Sequence, residues 1–240
     1  LNGLLAGKTA LITGGSSGIG LAIGHAFAAA GSDLIIAARD GGRLQAAAEA
    51  LRAHGGKVRA VPADLLKDDD IARLFAEADG LDVLVNNAGG NVRARTEQIT
   101  PAQWRGVIDL NVTAAFLCAQ AAFRIFLRRG GGRIINIGSV SAKVSRRNSI
   151  AYTTSKFALD GMTRAMALDG RGHGIAVSIL HPGNTESAIW VGQEESVAKE
   201  GLMPGAAVAR AALLMATLPP EINMLDATML PLSMPFLGRG

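Results

Sequence analysis

Only one of the 240 residues is a cysteine, Cys118, and aromatic side chains make up just 4% of the chain. One cysteine cannot close an internal disulfide, and no second soft ligand is placed to hold a metal with it. Inside its apolar helical run Cys118 reads as a small buried hydrophobe. Histidine is scarce as well, at four residues. His25, His54 and His173 have no acidic or cysteine partner at ligand spacing. His181, just before Pro182, reads as a hydrogen-bonded structural residue, so no metal is expected. Charge does not accumulate either. The formal net charge is only +4, and no basic tract is interleaved with aromatics, which argues against nucleic acid as a partner. No apolar run reaches the ~20 residues of a membrane span. Residues 1–8 lack the basic start and long apolar stretch of a secretory signal. The expectation is a soluble protein of a reducing compartment, the cytoplasm, with neither membrane nor nucleic acid as partner.

What is present is apolar sequence cut into short pieces. Hydrophobic residues make up 49% of the chain, enough for one large core. Continuous apolar runs at 9–13, 33–38, 58–61, 81–85, 133–137 and 175–180 predict strands covered on both faces. A last strand is predicted within 222–230. Helical patterns fall between them at 18–30, 41–54, 68–79, 101–129, 150–170 and 205–217. Thr100 and Pro101 supply an N-cap and first-turn residue for the longest. Strand and helix alternate throughout, which predicts an α/β fold: a doubly wound parallel sheet of Rossmann type in three αβα layers. No linker or repeat divides the chain, so residues 1–240 are expected to form a single domain. The run 114–127 is apolar on nearly all sides, and its second face calls for a partner subunit.

Ligands of such sheets bind beyond the C-terminal strand ends, near the point where strand order reverses. The first strand ends in Thr13-Gly14-Gly15-Ser16-Ser17-Gly18-Ile19-Gly20. There Gly14 permits a tight turn, Gly18 and Gly20 permit close backbone approach, and a helix N-terminus faces a pyrophosphate. The second strand ends Ala37-Ala38-Arg39-Asp40. A carboxylate at this edge takes ribose hydroxyls, whereas an arginine favours a 2′-phosphate. Ala38 stands where the acid is expected and Arg39 follows, so NADP is preferred over NAD. Asp40 lies one residue too far. Asp64 and Leu65 follow the third strand, where Asp64 has two readings, an adenine contact or a helix cap. Asn86-Asn87-Ala88-Gly89 follows the fourth strand, Gly138-Ser139 the fifth, and Pro182-Gly183-Asn184-Thr185 the sixth.

Tyr152 and Lys156 begin the helix at 150–170, and their spacing puts both on one face. A phenol near pKa ~10 is a poor acid–base group at neutral pH. A cation beside it favours the phenolate, so the pair is a candidate for proton transfer.

Together, Thr13–Gly20, Asn86-Asn87-Ala88-Gly89, Asn111, Ser139, Tyr152-x-x-x-Lys156 and Pro182-Gly183 resemble the short-chain dehydrogenase/reductase family in its ordinary, roughly 250-residue form. The resemblance covers nearly the whole chain. It implies an NAD(P)-dependent oxidoreductase that moves a hydride between nicotinamide and a small-molecule carbonyl or secondary alcohol. It assigns acid–base work to Tyr152 and substrate-oxygen binding to Ser139. Lys156 lowers the tyrosine pKa, helped by the positive nicotinamide of the oxidised cofactor, and binds the nicotinamide ribose. Asn111 orders a water between lysine and solvent. The cofactor set it implies is Gly14, Ser16, Ser17, Gly18, Ile19, Gly20, Arg39, Asp64, Leu65, Asn87, Ala88, Gly89, Tyr152, Lys156, Pro182, Gly183 and Thr185. Either Thr185 or Ser187 meets the nicotinamide amide. It also implies a homotetramer or homodimer.

Substrate identity stays open among 3-oxoacyl thioesters, sugars or polyols, and small ketones. The substrate wall is expected from 90–95, 140–149 and a lid at about 185–203, where Trp190, Val191, Leu202 and Met203 are either substrate contacts or packing. Lys143, Arg146 and Arg147 make the entrance basic. Residues 229–236 read as a subunit-contact tail. The competing reading from another class is a regulatory protein that binds a dinucleotide without turning over substrate.

Overall fold

The computed structural model of the chain describes residues 3–186 and 200–236. Their centre is a sheet of seven parallel strands: β1 (Thr9–Thr13), β2 (Asp33–Ala38), β3 (Val58–Pro62), β4 (Val83–Asn86), β5 (Gly132–Ile137), β6 (Ile175–Pro182) and β7 (Asp226–Met229). The order is β3-β2-β1-β4-β5-β6-β7. In-register pairs such as Leu11↔Ile35 and Leu11↔Leu84 flank the first strand. All strands are parallel, so every C-terminal end lies on one edge, and the order reverses between β1 and β4.

The helices are α1 (Gly18–Ala29), α2 (Gly41–Arg52), α3 (Asp68–Ala76), α4 (Pro101–Ile108), α5 (Ala114–Arg129), α6 (Ile150–Gly170) and α7 (Gly205–Thr217). Neighbouring strand residues point to opposite faces. Ile12, Ile36, Val85, Ile135 and Leu180 pack with Ile23 and Phe27 of α1, Leu44 and Leu51 of α2 and Leu213 of α7. Leu11, Ile35, Leu84, Ile134 and Val177 pack with Leu74 of α3, Cys118 and Phe126 of α5 and Met166 of α6. The result is one Rossmann-like, three-layer domain, as the apolar runs predict.

The predicted helix at 101–129 is not regular. Thr100 caps it with a reciprocal box to Gln103, but Asp109–Thr113 forms a π-turn between α4 and α5. One extra residue in the turn lets Asn111 face inward, where it is 2% exposed. By length and mean hydropathy, 1.5 over its most apolar window, Pro101–Arg129 could cross a membrane, which corrects the expectation from apolar runs. Ala114, Cys118, Ala119, Ala122 and Phe126 instead pack on the sheet, as in a core helix. Phe116 and Leu127 are exposed on the far side.

Part of the tail at 229–236 packs on its own protomer. Gly183 N donates to Met229 O at 2.7 Å, and Leu230, Pro231 and Met234 crowd the α-carbon of Gly183. Met203 joins the core, while Leu202 is exposed. Trp190, Val191 and Ser187 lie outside the described residues.

Phe126 is fully buried and its ring lies against the Gly132 backbone. Phe126→Ala is expected to destabilise the protein by about 3–5 kcal/mol, read as a lowered midpoint in denaturant unfolding.

Candidate active site

The strand ends enclose a cleft of about 950 Å³ at the β1/β4 switch point. One side is built by the glycine loop. Gly14 has φ +66°, a left-handed conformation. The Thr13 hydroxyl accepts from the amides of Asn87 (3.0 Å) and Ala88 (3.1 Å). Asn87 Nδ2 donates to the carbonyls of Thr13 and Gly14. Ser16, Ser17, Gly18 and Ile19 line the cleft. Ser17, the N-cap of α1, makes no side-chain capping bond, so the first amides of α1 have no side-chain acceptor there, an arrangement that suits a phosphate. Gly20 sits tightly against the glycine loop. A Cβ there would meet the Gly14 carbonyl, so its close approach is to the loop's own backbone.

At the end of β2, Ala38 and Arg39 line the cleft together with Arg43, which the sequence reading missed. Arg43 stands four residues after Arg39, and that spacing was the available signal. Asp40 caps α2 by accepting from Arg43 N, and its other oxygen meets Arg43 Nε at 2.6 Å. Those bonds hold the Asp40 carboxyl below its ordinary value. Leu65 lines the cleft but Asp64 does not. The residue at the N-cap of α3 is Lys67, and Asp64 closes a turn by accepting from Leu66 N. Asp64 therefore closes the turn before α3 and does not cap the helix.

The other side of the cleft brings Ser139, Tyr152 and Lys156 together with Asn87, Ala88, Gly89, Pro182, Gly183 and Thr185. Ser139 follows β5, and Tyr152 and Lys156 lie in the first two turns of α6. Lys156, 6% exposed, donates to Ile137 O at 2.9 Å, and its Nζ lies 5.5 Å from the Tyr152 ring centroid. Asn111 does not line the cleft itself. It accepts from Gly90 N (2.8 Å) and donates to Gly90 O and to Ser155 Oγ (both 2.9 Å). Ser155 Oγ in turn donates to Tyr152 O at 2.7 Å. Asn111 thus braces the loop after β4 against the start of α6.

The expected basic entrance is dispersed. Of its three cations only Arg146 lines the cleft, where Arg93 also stands. Arg146 donates to Asn184 Oδ1 (2.9 Å) and Glu200 Oε2 (2.8 Å). Lys143 instead reaches Asp226 at 2.7 Å, and Arg147 is exposed.

With this geometry, comparison with known proteins is decisive. A family model described as short chain dehydrogenase matches residues 8–198. The chain belongs to that family. Glucose 1-dehydrogenase 2 of Bacillus subtilis is 36% identical over 205 residues, covering 82% of this chain and 80% of its own. The 3-oxoacyl-[acyl-carrier-protein] reductase FabG of Aquifex aeolicus is 35% identical, covering 76% of each chain. A solved structure from Beutenbergia cavernae, a candidate NAD(P)-dependent gluconate 5-dehydrogenase with NADP bound at low occupancy, superposes with a TM-score of 0.86. It is 32% identical, and the match covers 93% of this chain and 95% of that one. This short-chain dehydrogenase is accordingly an NAD(P)-dependent oxidoreductase acting on CH–OH groups and the matching carbonyls.

Electrostatics departs from the simple sequence argument. Burial pushes the Tyr152 phenol above its ordinary value, and a hydrogen bond from Ser139 and the nearby Arg146 offset this only in part. Burial also pulls Lys156 down to about 8. Free lysine titrates near ~10.4. The penalty for burying the ammonium is therefore fully present below pH 8 and disappears as pH rises through ~10.4. Lys156→Met should gain melting temperature relative to wild type at pH 7, by a margin that shrinks towards pH 10. Differential scanning calorimetry checks this, and a margin independent of pH would contradict the burial argument.

Proposed function

We propose that this enzyme is an NADP-preferring carbonyl reductase or alcohol dehydrogenase in which Asn111, Ser139, Tyr152 and Lys156 carry the catalytic work. The observation that supports it best is the meeting of Ser139, Tyr152 and Lys156 in one cleft with the Thr13–Gly20 loop. The nicotinamide supplies or accepts the hydride. Tyr152 gives its phenolic proton to the substrate oxygen in reduction and takes it back in oxidation. Ser139 donates to the same oxygen and holds the carbonyl in place. Lys156 binds the nicotinamide ribose and favours the phenolate by its charge. Asn111 holds the water through which lysine exchanges protons with solvent, in addition to bracing α6.

Gly14, Ser16, Ser17, Gly18 and Ile19 bind the pyrophosphate, and Gly20 shapes their loop. Leu65, Asn87, Ala88 and Gly89 flank the adenosine half and the bridge to the nicotinamide. Pro182, Gly183 and Thr185 flank the nicotinamide, with Thr185 as the hydroxyl that meets its amide. Arg39 takes the 2′-phosphate. Asp40 is held by Arg43, which leaves that edge cationic and favours NADP. Relatives named for glucose, gluconate and 3-oxoacyl substrates define the panel to assay. The exposed Phe116, Leu127, Phe157 and Leu168 support a homotetramer or homodimer, and the protein works in the cytoplasm.

Tyr152→Phe is expected to lower carbonyl-dependent NADPH oxidation by about 10²-fold or more, with cofactor binding retained. Unchanged turnover in that variant would remove the acid–base role of Tyr152, and no turnover in wild type across the panel would return the protein to a dinucleotide-binding regulatory role. Arg39→Ala should raise the Kd for NADPH about tenfold or more and leave that for NADH within about twofold. Equal loss for both cofactors would remove the 2′-phosphate role.

A further inference from the structure

Directly behind Ser139 lies a buried histidine that the chemistry above does not use. His181, on β6, is 0% exposed. Its ring packs on the Gly138 backbone, so closely that a Cβ on Gly138 would meet Nδ1. Nδ1 is 2.9 Å from Ser139 O and 3.3 Å from Ser139 N. Nε2 faces two carboxylates, Asp160 Oδ1 of α6 at 3.3 Å and Asp226 Oδ1 of β7 at 3.8 Å. Two cations complete the cluster. Lys143 lies 2.7 Å from Asp226 and 3.7 Å from Asp160. Arg164 lies 2.8 Å from Asp226 and 3.1 Å from Asp160. The ligand atoms of Asp160, His181 and Asp226 are close enough to hold a metal ion. Lys143 and Arg164 already balance both carboxylates, so the cluster needs none.

The two Nδ1 contacts require opposite states of one atom. Ser139 N–H needs a lone pair on Nδ1, whereas Ser139 O needs a proton there. The carboxylates fix a proton on Nε2. In neutral His181, Nδ1 is therefore the acceptor for Ser139 N–H, while Ser139 O is held by Ala142 N at 2.9 Å. A second proton turns Nδ1 into a donor to Ser139 O and leaves Ser139 N–H without its acceptor. The Ser139 main chain then has a different hydrogen-bond pattern, and its hydroxyl is carried with it.

We propose that His181 is a positioning residue for Ser139, and that its protonation switches the Ser139 main chain away from the arrangement that supports catalysis. Asp160 and Asp226 select the tautomer, and Lys143 and Arg164 limit how strongly those carboxylates favour the cation. Burial and Lys143 oppose the second proton, while Asp226, Asp160 and the Ser139 contact favour it. Burial is the largest of these, and the net shift is below histidine's ordinary value. The neutral, catalytic form therefore prevails at neutral pH and is lost as pH falls. This rests on the role of Ser139 proposed above.

The test is the pH profile of kcat with saturating NADPH and substrate. Wild type should show an acid limb below about pH 6.5. His181→Asn keeps a polar group near Nδ1 that does not titrate, so it should be slower by a constant factor with the limb gone. His181→Phe keeps the bulk but neither bond, and its kcat should fall below that of His181→Asn while the Kd for NADPH holds. Asp226→Asn removes a charge favouring the imidazolium, so its limb should move to lower pH. An unmoved limb in His181→Asn would overturn the proposal. A second readout needs no turnover: the Ser139 amide resonance in ¹H–¹⁵N spectra should titrate with the His181 ring in wild type and not in His181→Asn. If wild type reduces no carbonyl, the catalytic reading fails while the spectra still decide the coupling. A Ser139 amide that ignores the His181 titration would overturn the coupling itself.

Discussion

The Thr13 hydroxyl is the smallest group on which the whole cleft depends. It ends β1 and accepts the amides of both Asn87 and Ala88 at the end of β4. Those two strands are neighbours in the sheet, yet their chains leave it in different directions. The gap between them is where a ligand fits an open parallel sheet. The hydroxyl satisfies two partly buried amides, so the gap is held open without leaving those donors unpaired. Asn87 completes the tie by donating back to the Thr13 and Gly14 carbonyls. The glycine loop is thus fastened to the far side of the cleft, and the uncapped start of α1 keeps its aim.

The second side depends on a comparable tie at greater depth. Asn86 donates to Asn136 and to the Ala115 carbonyl, and Asn136 donates to Thr163. These buried amides join β4, β5, α5 and α6 below the site. A polar network at such depth fixes relative positions more firmly than apolar contact alone, since a shift would strand a donor. Above it, Asn111 and Ser155 set the first turn of α6. Tyr152 and Lys156 therefore stand on a helix whose start is held from several elements.

Most of this was legible in the sequence, and the exceptions have physical causes. Strands announce themselves by apolar runs, and β1 and β2 have the expected bounds. Helix starts were legible as well, because Gly18, Gly41, Asp68, Pro101, Ile150 and Gly205 follow turns or caps. Helix ends were less so, since α2 and α3 stop two or three residues early with no marker. The glycine loop and the Tyr152/Lys156 pair were readable because spacing alone puts each on one face. Residues whose role depends on a loop path were not. Asp64 and Lys143 could not be placed until the chain around them was known. Nor can spacing show burial, which is why a lysine beside Tyr152 suggested a lowered phenol pKa where desolvation raises it. The π-turn was invisible because hydrophobic periodicity tolerates one extra residue over so long a helix.

That π-turn also says something about how the helix can vary. It amounts to a single inserted residue absorbed within one turn. Deleting one residue there would restore regular α-helix with both flanks still on their own faces, but would remove the extra residue that turns Asn111 inward. The face of α5 bearing Cys118 and Phe126 would stay on the sheet, while Asn111 would lose its place against Gly90 and Ser155. The length of this segment is therefore constrained more tightly than its composition, and a change in residue number there is harder to accommodate than most changes in residue type.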